Sequence, residues 1–89
     1  MKPVKIYTTT YCGYCVQAKQ LLFQKGIAYE EIDVTGNDEL RERLVQLSGG
    51  RRTVPQIFIG GTHVGGYRDL AKLDAEGKLD ELLRQVTEP

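Results

Sequence analysis

Net charge is what this 89-residue chain most clearly lacks, because twelve lysines and arginines offset twelve aspartates and glutamates. Without a basic excess it is poorly suited to grip a phosphate backbone or an anionic bilayer, so neither nucleic acid nor a membrane is an expected partner. Long apolar runs are missing as well. Nothing approaches the roughly 20 residues of a membrane span, and no N-terminal stretch resembles a signal peptide, so the expected location is cytoplasmic. Repeats, linkers and low-complexity segments are also absent. The length then implies one domain over residues 1–89, at the small end of what folds unaided. With an apolar fraction of 40%, a modest core is available and a disulfide scaffold is not required. His63 is the one histidine. A structural zinc site wants four protein ligands, and His63 with two cysteines and scattered carboxylates is poor material for one.

Those two cysteines are the chemistry that is present. They stand in Thr8-Thr9-Thr10-Tyr11-Cys12-Gly13-Tyr14-Cys15, after a short apolar run and before a stretch of helical periodicity. In a reducing compartment a Cys-X-X-Cys pair is more often catalytic or metal-binding than structural. A thiol placed where a strand ends and a helix begins meets the positive end of the helix dipole and its free N–H groups. Such settings favour the thiolate and lower the cysteine pKa into a range of about 3.5 to 7.5. Cys12 is therefore expected to be a nucleophile at neutral pH. Cys15, one helical turn on, is close enough to form a disulfide with it. A purely structural crosslink over so short a loop would restrain the unfolded chain little. The surroundings are locally basic: residues 1–25 hold four lysines and no acid, whereas 26–48 hold six acids against Arg41 and Arg43.

Around this turn the pattern predicts alternating strands and helices. Val4-Lys5-Ile6-Tyr7, bounded by Pro3 and the threonines, reads as the first strand. Residues 13–25 follow as a helix with Ala18, Leu21 and Leu22 on one stripe and Lys25-Gly26 as its stop. Ala28 to Val34 alternates as a strand whose glutamates suit a sheet edge. Asn37-Asp38-Glu39 supplies capping residues and first-turn acids to a second helix, which carries Leu40, Leu44 and Leu47 and ends at Ser48-Gly49-Gly50. Pro55 to Ile59 is the third strand, and Gly60-Gly61 turns a hairpin into Thr62-His63-Val64. Beyond Gly65-Gly66 come a helix opening at Tyr67 and a last one with Leu79, Leu82, Leu83 and Val86 inward. The order βαβαββαα makes a small α/β layer protein. Right-handed crossovers predict a third strand parallel to the first, with the hairpin strand antiparallel. Ligands are then expected at the carboxyl ends of the parallel strands, beside the cysteine turn.

Cys12-Gly13-Tyr14-Cys15, Thr53-Val54-Pro55 and Gly65-Gly66-Tyr67-Arg68-Asp69 together resemble the three signature segments of the glutaredoxins, in order and along essentially the whole chain. The resemblance implies a thioredoxin-like fold, a four-stranded mixed sheet flanked by helices. It also implies a glutathione-dependent reductase of protein disulfides and glutathione mixed disulfides. Carried over by position, Cys12 is the attacking thiolate, Cys15 the buried resolving thiol, and Tyr14 a neighbour of the glutathione sulfur. Val54-Pro55 is implied to be cis and to face Cys12, with the Val54 backbone turned toward an extended peptide beside Thr53. Gly66 and the N–H groups at Arg68 and Asp69 are expected to receive a glutathione carboxylate, and the Asp69 side chain its ammonium, although Asp69 could also cap the helix.

Three features depart from the family pattern. Gly13 replaces the frequent proline between the cysteines. Thr9 stands where a lysine commonly binds the glycyl carboxylate, which leaves Arg41 at a family carboxylate-binding position, with Arg51 and Arg52 as helpers or simply a solvated face. Tyr67-Arg68 replaces the frequent cysteine and its polar or acidic neighbour, so Arg68 either favours anionic partners or points into water. Expected partners are glutathione and disulfide-bearing or glutathionylated proteins, met by a monomer. One alternative is a [2Fe–2S] cluster bridging two chains through Cys12 and glutathione, as in relatives that lack the same proline. Another is a thioredoxin-like donor served by a reductase, against which the segment from Gly65 to Asp69 argues.

Overall fold

The structure, a computed structural model, describes residues 4–87, and Pro3 lies outside them. Alternation in the first strand, β1 (Val4–Thr8), turns Val4, Ile6 and Thr8 to the covered face. Then come α1 (Gly13–Gln24), β2 (Tyr29–Asp33), α2 (Asp38–Leu47), β3 (Gln56–Ile59), β4 (Thr62–Gly65), α3 (Tyr67–Ala75) and α4 (Lys78–Thr87). The strands form one mixed sheet in the order β2-β1-β3-β4, flanked by the helices in a thioredoxin-like arrangement.

β1 and β2 are parallel, with Val4 opposite Tyr29 and Thr8 opposite Asp33. β2 lies on the edge, where exposed Glu30 and Glu31 discourage further pairing. Glu31 is tied inward by the Thr8 hydroxyl at 2.8 Å and the Lys19 ammonium at 3.0 Å.

β3 corrects the sequence expectation: it runs antiparallel to β1, with Tyr7 opposite Gln56 and Val4 opposite Ile59. A parallel third strand requires the preceding helix to run back along the sheet face. α2 does not serve that purpose, since Leu44 is its one buried side chain. The chain turns instead through Gly49 and Gly50, both at positive φ (70° and 99°), and enters the sheet beside the carboxyl end of β1. That direction places the start of β3, not its end, next to the cysteine turn. The hairpin then makes β4 antiparallel to β3 as expected.

The core joins β1, α1, β3, α3 and α4 through Val4, Ile6, Ala18, Leu22, Ile57, Ile59, Leu70 and Leu79, all fully buried. Each large aliphatic side chain here contributes roughly 1.5–3 kcal/mol of burial. Leu82, Leu83 and Val86 of α4 pack against it while partly buried, as their helical spacing predicted. At the other end of α1, the Lys25 ammonium reaches Asp74 at 2.7 Å and Asp80 at 3.2 Å. Those two carboxylates, Asp74 first, hold its pKa above the ordinary 10.5. Among the described residues no helix is long and apolar enough to cross a membrane.

Candidate active site

β1 ends at Thr8 and α1 begins at Gly13, so Cys12 becomes the N-cap, with an extended backbone at φ −153° and ψ 105°. An N-cap side chain faces the unpaired N–H groups of the first helical turn. Here the Cys12 sulfur receives the Cys15 N–H at 3.1 Å, and no acid occupies that first turn to oppose negative charge. Cys12 is half-buried, whereas Cys15 is 1% exposed. The two are joined as a disulfide with their Cα atoms 5.2 Å apart.

The antiparallel course of β3 brings residues from beyond position 50 to this sulfur. The Val54–Pro55 bond is cis, and the Val54 carbonyl oxygen lies 3.6 Å from the Cys12 sulfur. Val54 also lines a groove of about 260 Å³. Its aromatic part is Tyr14, half exposed, with its ring stacked on Tyr67 at 6.3 Å and 23°. Its backbone part is Thr53, Val54 and Pro55, and its polar part is Arg51 with Gly66, Arg68 and Asp69 at the start of α3.

The polar part is organised by one carboxylate oxygen. Asp69 Oδ2 accepts the Gly66 N–H at 2.9 Å and an Arg51 N–H at 3.1 Å. The Gly66 bond holds the Asp69 carboxyl below its ordinary value, burial opposes this, and Arg51 adds to the lowering. Gly65, at φ +117°, is what lets these groups close up, because a β-carbon there would run into the Asp69 carboxylate and the Arg51 guanidinium. Asp69 thus does cap α3. Gly66 at the N-cap has no side chain to return the bond, so the N–H groups of Arg68 and Asp69 have no acceptor among the described residues. The same holds for the Val54 N–H.

Of the residues singled out from the sequence, Tyr14, Thr53, Val54, Pro55, Gly66, Arg68 and Asp69 line this one groove. Arg41 lines an adjoining hollow of about 260 Å³ that shares Arg51, Thr53 and Val54 with it. Thr9, half-buried just past β1, lines neither. Arg52 pairs with Glu42 at 3.7 Å on the surface, as a solvated face would. Arg51 is the residue whose place the sequence understated. Its partner stands 18 positions away, and no local pattern signals that pairing. Among the described residues no group of three His, Cys, Asp or Glu side chains could hold a metal ion.

A family model described as glutaredoxin matches residues 4–64. A glutaredoxin of Pseudomonas aeruginosa is 55% identical over 83 residues, covering 93% of this chain and 98% of that protein. Glutaredoxin 3 of Escherichia coli is 50% identical over 84 residues, covering 94% and 100%. Among solved structures, the glutaredoxin of Brucella melitensis superposes with a TM-score of 0.83 at 49% identity, over 100% of this chain and 95% of that one. The buckwheat glutaredoxin–glutathione complex gives a TM-score of 0.87 at 35% identity, over 96% and 79%. With Cys12 and Cys15 as a redox-active pair on this fold, the chain is a thiol–disulfide oxidoreductase and belongs to the glutaredoxin family.

Proposed function

We propose that this oxidoreductase uses glutathione as its co-substrate and reduces glutathione mixed disulfides and protein disulfides. The observation that carries this reading is the groove itself, which places unpaired backbone donors at Val54, Arg68 and Asp69 beside a sulfur at a helix start. An extended peptide pairs with the Val54 backbone as an added strand. The free N–H groups of α3 suit the carboxylate of a γ-glutamyl end, where the helix dipole adds to their pull. Asp69 Oδ1, which receives no hydrogen bond from the described residues, is left for the adjacent ammonium. Arg41 and Arg51 in the adjoining hollow suit the glycyl carboxylate. The buckwheat neighbour, described as a glutathione complex, supports the same ligand class.

In the reduced enzyme the Cys15 N–H and the α1 dipole favour the Cys12 thiolate. This thiolate attacks the glutathione sulfur of a mixed disulfide; the S–S bond breaks and the protein sulfur leaves as a thiolate that takes a proton from water. The Cys12–glutathione disulfide is then attacked by the thiolate of a second glutathione, releasing oxidised glutathione and Cys12. With a protein disulfide, Cys12 first forms a mixed disulfide with the substrate. Cys15 then attacks the Cys12 sulfur, expels the substrate thiolate, and leaves the Cys12–Cys15 disulfide for two glutathiones to reduce. Burial of Cys15 restricts it to this internal step.

Cys15→Ser is expected to retain most of the activity toward a glutathione mixed disulfide, and Cys12→Ser to lose it entirely, in an assay coupled to glutathione reductase. A Cys15 variant as inactive as the Cys12 variant would contradict the division of roles. Turnover driven by a thioredoxin reductase in place of glutathione would favour the thioredoxin-like alternative.

A second reading, a [2Fe–2S] cluster shared by two chains, is suggested by Gly13 standing where the family often carries proline between the cysteines, beside a Cys12 that is half-buried at the helix start. One accessible thiolate per chain is too few for the four ligands such a cluster takes, so two chains and two glutathiones would supply them. Anaerobic purification with an absorption spectrum and iron analysis tests it; a colourless, iron-free monomer counts against it.

A further inference from the structure

Thr53 is held from behind by two polar side chains that the chemistry above does not use. Gln56, fully buried at the start of β3, donates its amide N–H to the Thr53 carbonyl at 3.0 Å and to the Thr53 hydroxyl at 3.3 Å. Its other amide atom, Oε1, lies 2.6 Å from Nε2 of His63. The polarity of this chain of bonds follows from its end. A carbonyl only accepts, so Gln56 must turn its NH₂ toward Thr53 and its oxygen toward His63, and His63 Nε2 must carry a proton. β4 sets the imidazole there by pairing His63 with Phe58, whose ring lies 5.0 Å from it. His63 itself is absent from the groove lining.

We propose that His63 is a positioning residue for tripeptide recognition: it locks the Gln56 amide, and through it the Thr53–Val54 backbone, in the form the groove presents. The inference rests on the reading of that groove as the glutathione site. Without a donor at position 63, Gln56 Oε1 is a buried acceptor left unpaired, which is costly enough for the amide to turn away and release Thr53. A released segment must be ordered again each time the peptide docks, and that weakens binding without touching the sulfur. Protonation leaves the bond intact, because both the neutral Nε2–H ring and the imidazolium donate from Nε2. Burial, and then Arg51, keep the ring pKa below its ordinary 6.5, with Asp69 opposing.

The test compares wild type with His63→Phe, which keeps a ring and removes the donor, and His63→Gln, which returns an N–H donor. In the mixed-disulfide assay, and in calorimetry of the reduced protein with S-methylglutathione, H63F is expected to show KM and Kd raised about tenfold with kcat little changed. H63Q is expected to recover most of that loss. Iodoacetamide, which needs no part of the groove, is expected to alkylate Cys12 at the wild-type rate in all three. A folded H63F that binds as wild type does would overturn the proposal for His63 alone; a wild type that takes up no S-methylglutathione would overturn the groove reading beneath it. Should H63F fail to fold, long-range ¹H–¹⁵N correlation on the unmodified protein at neutral pH decides. The Nε2–H tautomer is expected, and a ring protonated only at Nδ1 sinks the inference.

Discussion

Asp69 concentrates the electrostatics of the groove in a single side chain. Its carboxyl titrates below the ordinary 3.8 chiefly because it accepts the Gly66 N–H. A carboxylate whose pKa is lower in the folded than in the unfolded chain contributes stability above the unfolded value, and that contribution fades as pH falls through the folded one. Asp69→Asn keeps an acceptor oxygen in place and removes the titration. Wild type is therefore expected to exceed Asp69→Asn in urea midpoint at pH 7, with the gap closing as pH drops from about 5 to below the folded pKa. A gap independent of pH would mean that the charge at this position adds nothing. Tyr14, Pro55, Gly66 and Asp69 were all legible in the sequence, because each stands in a short segment of recognisable spacing. Arg51 was legible only as a helper or a solvated charge, because its partner Asp69 stands in a helix 18 positions on. Gln56 gave no signal, because a strand glutamine reads the same whether its amide faces water or is buried against Thr53 and His63. Thr9 is the converse, marked by its distance from Cys12 along the chain yet outside the groove.

Between residues and fold, the segment from β4 into α3 is held to one conformation by Gly65. Its φ of +117° is unfavourable for any side chain, and a β-carbon would also displace Asp69 and Arg51. Gly65→Ala is expected to lower stability by about 1–3 kcal/mol and to weaken glutathione binding together with it, as read by thermal melts and calorimetry. Element types and order followed from periodicity and capping, with boundaries displaced by only a residue or two. What periodicity could not supply was the direction of β3. The handedness rule applies to a helix that crosses back over the sheet, whereas α2 buries only Leu44 and the chain re-enters the sheet at the same end at which β2 left it. The amphipathic spacing of Leu40, Leu44 and Leu47 looked the same either way. Leu40 is partly exposed and Leu47 48% exposed, which shows how little of that face is covered.

Across the whole molecule, stability is distributed unevenly. β1, α1, β3, α3 and α4 share one continuous core, to which α2 contributes no member. Segments with few buried apolar contacts open locally at low free energy. Amides of Asp38–Leu47 are accordingly expected to exchange with solvent well before those of β1 and β3, measured by native-state hydrogen exchange. Equal protection in α2 and the central strands would show that the helix is held by something other than Leu44. The same uneven layout has a consequence for inheritance. On the proposed reading, the Cys12 sulfur is encoded before the bend that Ser48 braces against the Arg51 carbonyl at 3.1 Å, and the main-chain donors at Val54, Arg68 and Asp69 are encoded after it. A hybrid gene spliced at that bend would take its thiols, with Tyr14 and Arg41, from one parent and its main-chain grip from the other.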